Sequence, residues 1–279
     1  GKDNMGAVAL ALSRNYQLPQ VIFDIAGDDQ VMENRQRMGI KVEDAQKWGL
    51  SFNDLESGMA FLSFEAYTHP KCIHLVMKLF DQFRWWQNQF FKDFKKYRGL
   101  IQFLRRVGLL PILAKTLEKD LTRNTREEVN LYTYKTADYL LSSAQDYRPG
   151  YGGDQQHIWQ ATLGPTAVCF TTHPGHKENT SAGYWVGSGT LPRVAQHKNV
   201  VIACYRISKM PGMYMTNELF FTHAWFPQTE FDEVQEKNNW VFGRRGDGYI
   251  AIRSQKETVW QDKGDDKDCE IISDGLKRS

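Results

Sequence analysis

The sequence predicts an α+β protein, with an N-terminal α-helical region followed by an antiparallel β-sandwich. Two observations carry this. Apolar residues recur at helical spacing through residues 1–128, and from Val129 onward the period changes to two. The second half also places strand-like runs between frequent turn signals, the pattern of an antiparallel sandwich and not of a parallel sheet. Helices and strands are therefore segregated along the chain. The expected domains are an α-helical region at 1–128 and a β-sandwich at 129–279, truncated at its C-terminal end.

The helical half reads in order. "MGAVALALSRNY" is an apolar helix ended by Pro19. "QVMENRQRMGIKVEDAQKWGL" is polar and reads as helix or loop. "SFNDLESGMAFLSFEAY" offers Ser51 or Asn53 as N-cap, acids in the first turn, and one apolar stripe of Leu55, Met59, Leu62 and Ala66. Pro70 closes it. Residues 71–120 then supply two or three further helices, broken near Gly99, Gly108 and Pro111.

The β half begins with the alternating "NLYTYKTADYLLSSAQDY" and a loop at "RPGYGGD". In "QQHIWQATLGPTAVCFTTHPG" a turn at 164–166 separates two runs of β-formers. A three-residue loop sets Leu163 against Ala167 and, counting outward, His157 against His173. Directly opposed residues share a face with Cβ atoms roughly 4.5–5.5 Å apart, near enough for two imidazoles to hold one cation. "NVVIACYRI", "ELFFTHAWF", "NWVFGRRGDGYIAIRS" and "CEII" follow as strands, the "RRGDG" being a turn within one of them. "CEIISDGLKRS" starts a strand with no hairpin partner after it, so the chain reads as a fragment with an open sheet edge.

Composition narrows the function classes. Lys and Arg number 35 against 33 Asp and Glu, a net charge of +2, so no nucleic-acid partner is expected. The four cysteines, Cys72, Cys169, Cys204 and Cys269, have no metal-ligand or disulfide-framework spacing. No signal peptide and no run long enough for a membrane span is visible. P-loop, dinucleotide and nucleophile-elbow motifs are missing.

Three stretches in order, "HIWQATL", "FTTHPG" and "LPRVAQHKNVVIA", resemble the β-domain of heparinase II/III-like polysaccharide lyases. Landmarks cover residues 129–254; the helical half is similar by class alone. The resemblance implies a partial α/α toroid leading into the sandwich, although some 128 residues are too few for a complete one. It further implies a structural zinc held by His157 and His197, with His173 standing where the family has an Asp before Pro-Gly. Three histidines are an acceptable zinc set, and His176 is a substitute or fourth ligand. Tyr184 is implied at the cleft as a catalytic residue, with Arg193 stabilising developing negative charge and Trp185 stacking on a sugar ring. β-Elimination of a uronate polymer needs a proton removed beside a carboxylate and one delivered to the departing oxygen, tasks for Tyr and His with tuned pKa values. In the helical half Asn15, Tyr16, Tyr67 and His69 are the available catalytic side chains, none matching the family motif.

The expected partner is thus an acidic polysaccharide, without membrane-surface contact; the sequence leaves the compartment open, secreted or periplasmic if the lyase reading holds, and leaves the oligomeric state open as well. Plainer readings stand beside each feature. The histidine pair also fits the solvent end of a hairpin, His223 between aromatics fits a core histidine, and Tyr184 fits a sandwich edge. "RRGDGY" is explained as a tight turn, and Asn179-Thr180-Ser181 matters as a glycosylation acceptor only in a secreted eukaryotic protein. The alternative function is a non-catalytic carbohydrate-binding or structural module. A third is a peripheral membrane protein using the aromatic and basic residues of 76–117.

Overall fold

The computed structural model describes residues 17, 19–38, 42–63, 68–88, 95–117, 129–145, 147, 157–175, 177, 184–185, 190–210, 217–262 and 269–273. Asn15, Tyr16, Ala66, Tyr67, His176 and the 179–181 acceptor lie outside them. The helices are α1 (Gln20–Ala26), α2 (Leu55–Ser63), α3 (Ile73–Gln82), α4 (Arg98–Arg106) and α5 (Leu110–Thr116), with 3-10 turns at Val42–Trp48 and Trp85–Gln87. None is long and apolar enough to cross a membrane. The partial toroid expected from the family resemblance is not established by these short helices.

Helix α2 is capped by Asp54, whose Oδ1 accepts from the Ser57 backbone N–H at 2.7 Å, and not by Ser51 or Asn53. Those hydrogen bonds from Ser57 hold the Asp54 pKa below the usual carboxylate value. The buried face of α2 is Ser57, Gly58 and Phe61, while Met59 is exposed. The expected stripe is rotated because Gly58 admits α3: a Cβ there would lie 3.2 Å from Leu79 Cδ1. Leu75, Val76 and Phe80 of α3 complete a core with Phe61, Trp86, Leu110 and Ala114. Asp81 ties α3 to α4, accepting from Arg105 Nη1 at 2.6 Å and Trp86 Nε1 at 2.9 Å. Leu100 and Phe103 of α4 face solvent.

The stretch read as helix or loop contains a strand, β1 (Met32–Met38), which pairs antiparallel with β2 (Val129–Lys135). Residues from the expected helical region therefore enter the sheet. β1 is a sheet edge, and its charged sequence "MENRQRM" suits an edge that must discourage further pairing. Such a strand lacks the β-branched run that marks a buried one.

Eleven more strands follow: β3 (Leu140–Gln145), β4 (Trp159–Thr162), β5 (Val168–Thr172), β6 (Arg193–His197), β7 (Val200–Cys204), β8 (Thr222–Trp225), β9 (Glu233–Lys237), β10 (Trp240–Arg245), β11 (Gly248–Arg253), β12 (Thr258–Gln261) and β13 (Glu270–Ser273). One sheet has the order β1-β2-β3-β4-β5-β8-β13-β12; β11-β10-β9 and the β6-β7 hairpin are separate. β13 is thus an interior strand between β8 and β12, not the open edge expected from its position in the sequence. The Gly246-Asp247 turn joins β10 to β11 as read, with Arg245 opposite Gly248 and Gly246 at φ 57°.

Alternation gives the large sheet two unlike faces. Cys169, Ala224 and Ile271 point inward, meeting Val241, Ile250 and Ile252 of the three-stranded sheet and Phe226 and Phe231. Leu141, Trp159 and Ala161 continue that inner face beneath Val194, Val201 and Ala203 of the β6-β7 hairpin. The outer face carries residues of the other parity. The packing of sheet on sheet leaves no room at Gly243, where a Cβ would stand 2.8 Å from both Phe226 Cζ and Phe231 Cδ1. Gly243→Ala is expected to lower stability by about 1–3 kcal/mol through overpacking, read from the midpoint of urea unfolding at unchanged slope.

Candidate functional site

The site is built on the outer face of β5, β8 and β13. Register places Thr172 beside His223 and Ile272 in one row, and Phe170 beside Trp225 and Glu270 in the next. His223 and Glu270 are therefore diagonal neighbours across adjacent strands, within reach of long side chains. His223 Nδ1 lies 2.9 Å from Glu270 Oε1, and His223 Nε2 lies 2.7 Å from Thr172 Oγ1. The Tyr184 hydroxyl donates to the same Glu270 Oε1. With Glu270 ionised, Nδ1 is the donor to it and Nε2 accepts from the threonine.

All four groups are withdrawn from water. Tyr184 and Glu270 are 0% exposed, His223 1% and Thr172 5%. Trp185 lies flat on His223 with ring centroids 4.2 Å apart and 3° between planes, and meets Trp225 edge-on at 5.0 Å. Tyr184 meets His223 edge-on at 4.8 Å. Aromatic pairs of this kind add about 0.5–1.5 kcal/mol beyond their area. Among the described residues Glu270 Oε2 has no hydrogen-bond partner, an incomplete pairing that native proteins rarely keep in a dry interior.

Hydroxyl, imidazole and carboxylate stand in line as in a nucleophile–base–carboxylate arrangement. At 5% exposure, however, the Thr172 hydroxyl cannot meet a polymer. As placed, the group holds protons between a phenol, an imidazole and a carboxylate. Thr172 and Glu270 were not singled out from sequence: a lone acid in "CEII" looks like an edge residue until β13 is known to be interior.

The predicted metal ligands do not converge. The expected hairpin register is realised, with Ala161 opposite Cys169 and Thr162 opposite Val168, and Leu163 N–H donating to Ala167 O at 2.9 Å. Strand β4 begins only at Trp159, so alternation no longer dictates where His157 points. Its ring stacks on Phe170 at 3.7 Å on the outer face, and its Nε2 lies 3.1 Å from Trp185 O. His173 is buried, and its Nδ1 lies 2.8 Å from Phe221 O. His197 ends β6, on the hairpin covering the inner face, and the Lys198 N–H beside it bonds Tyr132 Oη at 2.9 Å. Among the described residues no three His, Cys, Asp or Glu side chains form a metal-holding group. The chemistry below runs through no metal.

The other expected residues divide. Tyr184 and Trp185 sit at the cluster's centre. Arg193 is exposed at the start of β6, opposite Cys204, on the inner-face hairpin and not beside Tyr184. His69 is buried before α3, its carbonyl accepting from the backbone N–H of Cys72 at 3.1 Å and of Ile73 at 2.9 Å. His223 is buried among aromatics, matching the plainer of its two sequence readings.

Burial lowers the His173 pKa, against an opposing pull from the Phe221 carbonyl and the Asn217 side chain; burial likewise lowers that of His157, opposed by the Trp185 carbonyl. A histidine with a depressed folded pKa binds fewer protons folded than unfolded, so its stabilisation is complete above the unfolded value of about 6.5 and is lost as pH falls through the folded one. Each pH unit within that window removes up to about 1.4 kcal/mol for the buried His173, and less for the exposed His157, where solvent screens the effect. His173→Asn, which can still donate to Phe221 O, is expected to flatten the fall in unfolding free energy between neutral and mildly acid pH relative to the parent.

No family model, curated protein or solved structure matches this chain.

Proposed function

We propose that the chain acts on a uronic-acid-containing glycan in the manner of a polysaccharide lyase, at the outer face of β5, β8 and β13. One observation carries the reading: Tyr184, Glu270 and His223 share a hydrogen-bonded network directly beneath the half-exposed Trp185 indole. A phenol already bonded to a carboxylate can pass its proton there and act as a base. In the elimination the phenolate takes the proton from the carbon bearing the substrate carboxylate. The electron pair left behind forms the carbon–carbon double bond as the glycosidic carbon–oxygen bond breaks. The departing oxygen then takes a proton, which the network supplies. His223, itself bonded to Thr172, holds Glu270 in place. Trp185 offers a flat face for a pyranose ring, and His157 leaves an exposed edge beside it.

The geometry sets a condition. Tyr184 has no exposed surface, so substrate entry requires the 184–185 segment to move and Trp185 to leave His223. That same burial supports the second reading, a non-catalytic carbohydrate-binding module in which Tyr184 only anchors the segment to β13.

Incubation with polygalacturonate, alginate, hyaluronate and heparin while following the ultraviolet absorbance of the unsaturated uronate separates the two. Product is expected with at least one polymer, with Tyr184→Phe lowering kcat by about 10²–10⁴-fold, the usual worth of a positioned acid–base group. Absence of product with every polymer, or full activity in Tyr184→Phe, rejects the lyase reading.

A further inference from the structure

We infer that the solvent face of the three-stranded sheet is a second glycan-binding surface, a platform for an acidic polysaccharide chain, on the side of the sandwich away from Tyr184. The inference rests on register, exposure and charge, and does not depend on the lyase reading.

The inward residues of this sheet, Val234, Val241, Ile250 and Ile252, are consumed by the core. Parity therefore sends Trp240, Phe242 and Tyr249 to the other side, where a monomeric protein ordinarily places polar residues. Tyr249 is 69% exposed and Phe242 40%. Trp240 and Phe242 lie one pleat apart on β10, their rings near-parallel at 14° and 5.7 Å between centroids. Tyr249 on β11 faces Arg244, so it is the diagonal neighbour of Phe242, which faces Ala251. The three aromatics make a line crossing from β10 to β11. One pleat of about 6.7 Å and one diagonal of about 7–8 Å give it a length suited to a short run of pyranose rings.

Charge fixes the chemistry of the occupant. The Arg253 guanidinium lies 5.7 Å from the centre of the Trp240 ring, and Lys237 is the register partner of Trp240 on β9. Among the described residues neither cation has a carboxylate partner. Arg244 is already neutralised by Asp232 at 3.4 Å and Glu233 at 3.7 Å. The aromatic line is thus flanked at its Trp240 end by two uncommitted cations. Aromatic faces take the apolar faces of sugar rings, and the guanidinium and ammonium groups take carboxylates or sulfates. Either feature alone describes many surfaces; combined in register on one face, they match a polymer that alternates flat rings with anionic groups. An exposed aromatic patch of this kind marks a contact surface.

The test is calorimetric titration of the full chain with polygalacturonate and heparin, and with dextran as a neutral polymer. Trp240→Ala, Tyr249→Ala and Arg253→Gln accompany the parent, along with Phe103→Ala, a solvent-facing residue of α4 outside both faces. The expected result is binding of an acidic polymer, weakened at least about tenfold in Trp240→Ala and Tyr249→Ala and loosened by salt, with dextran not bound and Phe103→Ala binding as the parent. Tyr249→Ala removes a solvent-facing ring, so its fold is preserved even if Trp240→Ala is unstable. Equal binding by Tyr249→Ala and Arg253→Gln overturns the platform. So does equal affinity for dextran, or for anionic vesicles and duplex DNA, which would show general polyanion attraction. A dimer abolished by Tyr249→Ala, with no polymer bound, assigns the face to a second copy and also overturns it. If the acidic polymer binds through this face while no unsaturated product ever forms, the platform stands and the lyase reading fails. If product forms and these variants bind like the parent, the reverse holds.

Discussion

Burying a carboxylate is the constraint on which this structure turns. An ionised acid in a dry interior costs several kcal/mol unless it is paired and hydrogen-bonded. Glu270 is fully buried, and its donors come from two other places in the chain: the Tyr184 hydroxyl and the His223 ring. A one-residue slip of β13 against β8 would turn the carboxylate into the apolar layer beside Ala224 and Phe226 and push Ile271 outward. The polar network therefore specifies register more sharply than the apolar contacts do, because an isoleucine tolerates either side of a sheet better than a glutamate does. The same network fixes the 184–185 segment to the sheet, and Trp185 follows onto His223.

From that register the layering follows. Successive faces through the sandwich run polar and aromatic, apolar, apolar, then aromatic and charged. The two apolar faces meet and form the core, with Phe226 against Phe231 at 4.8 Å and Gly243 giving the rings their space. Parity then leaves each sheet an outer face that need not be bland, because its strands are already held by the inner one. Both outer faces have aromatic rings in register, one over a buried acid and one beside Arg253 and Lys237. The helical residues build a separate core around Phe61, Val76 and Trp86 and share none of these residues.

What sequence could reveal divides along the same physical line. The change of period at Val129, the three-residue loop at 164–166 and its register, and the β10-β11 turn were all readable, because local alternation and turn chemistry determine them. β1 was not: "MENRQRM" reads as a polar helix or loop, since an edge strand is chosen for its charges and not for β-formers. For His157 and His173 the limit is different. Their hairpin's register was right, but the ladder ends at Trp159, and beyond a ladder the parity rule has no force. Tyr184 and Trp185 were legible as residues of interest from the family resemblance. Their partner Glu270 was not, because its burial depends on β12 and β8 flanking β13, a pairing that no local pattern encodes.

The opposition of the two outer faces has a consequence for how a polymer would be handled. Surfaces on opposite sides of one sandwich cannot grip adjacent sugars of a straight chain. They can hold two segments of a bent polymer, or two polymers at once. In either case the second contact becomes intramolecular, and its contribution depends on the stiffness and length of the glycan between the faces. A stiff acidic polymer would gain little from the pair of surfaces, and a flexible or matrix-forming one would gain more. On the two proposals above, the surface at Trp240 would keep the protein on a polymer network, while the face above Glu270 would meet whichever strand comes within its reach. That division puts the proposed holding surface on β10 and β11 and the proposed chemistry beneath Tyr184 and Trp185, whose rings would both have to leave Glu270 and His223.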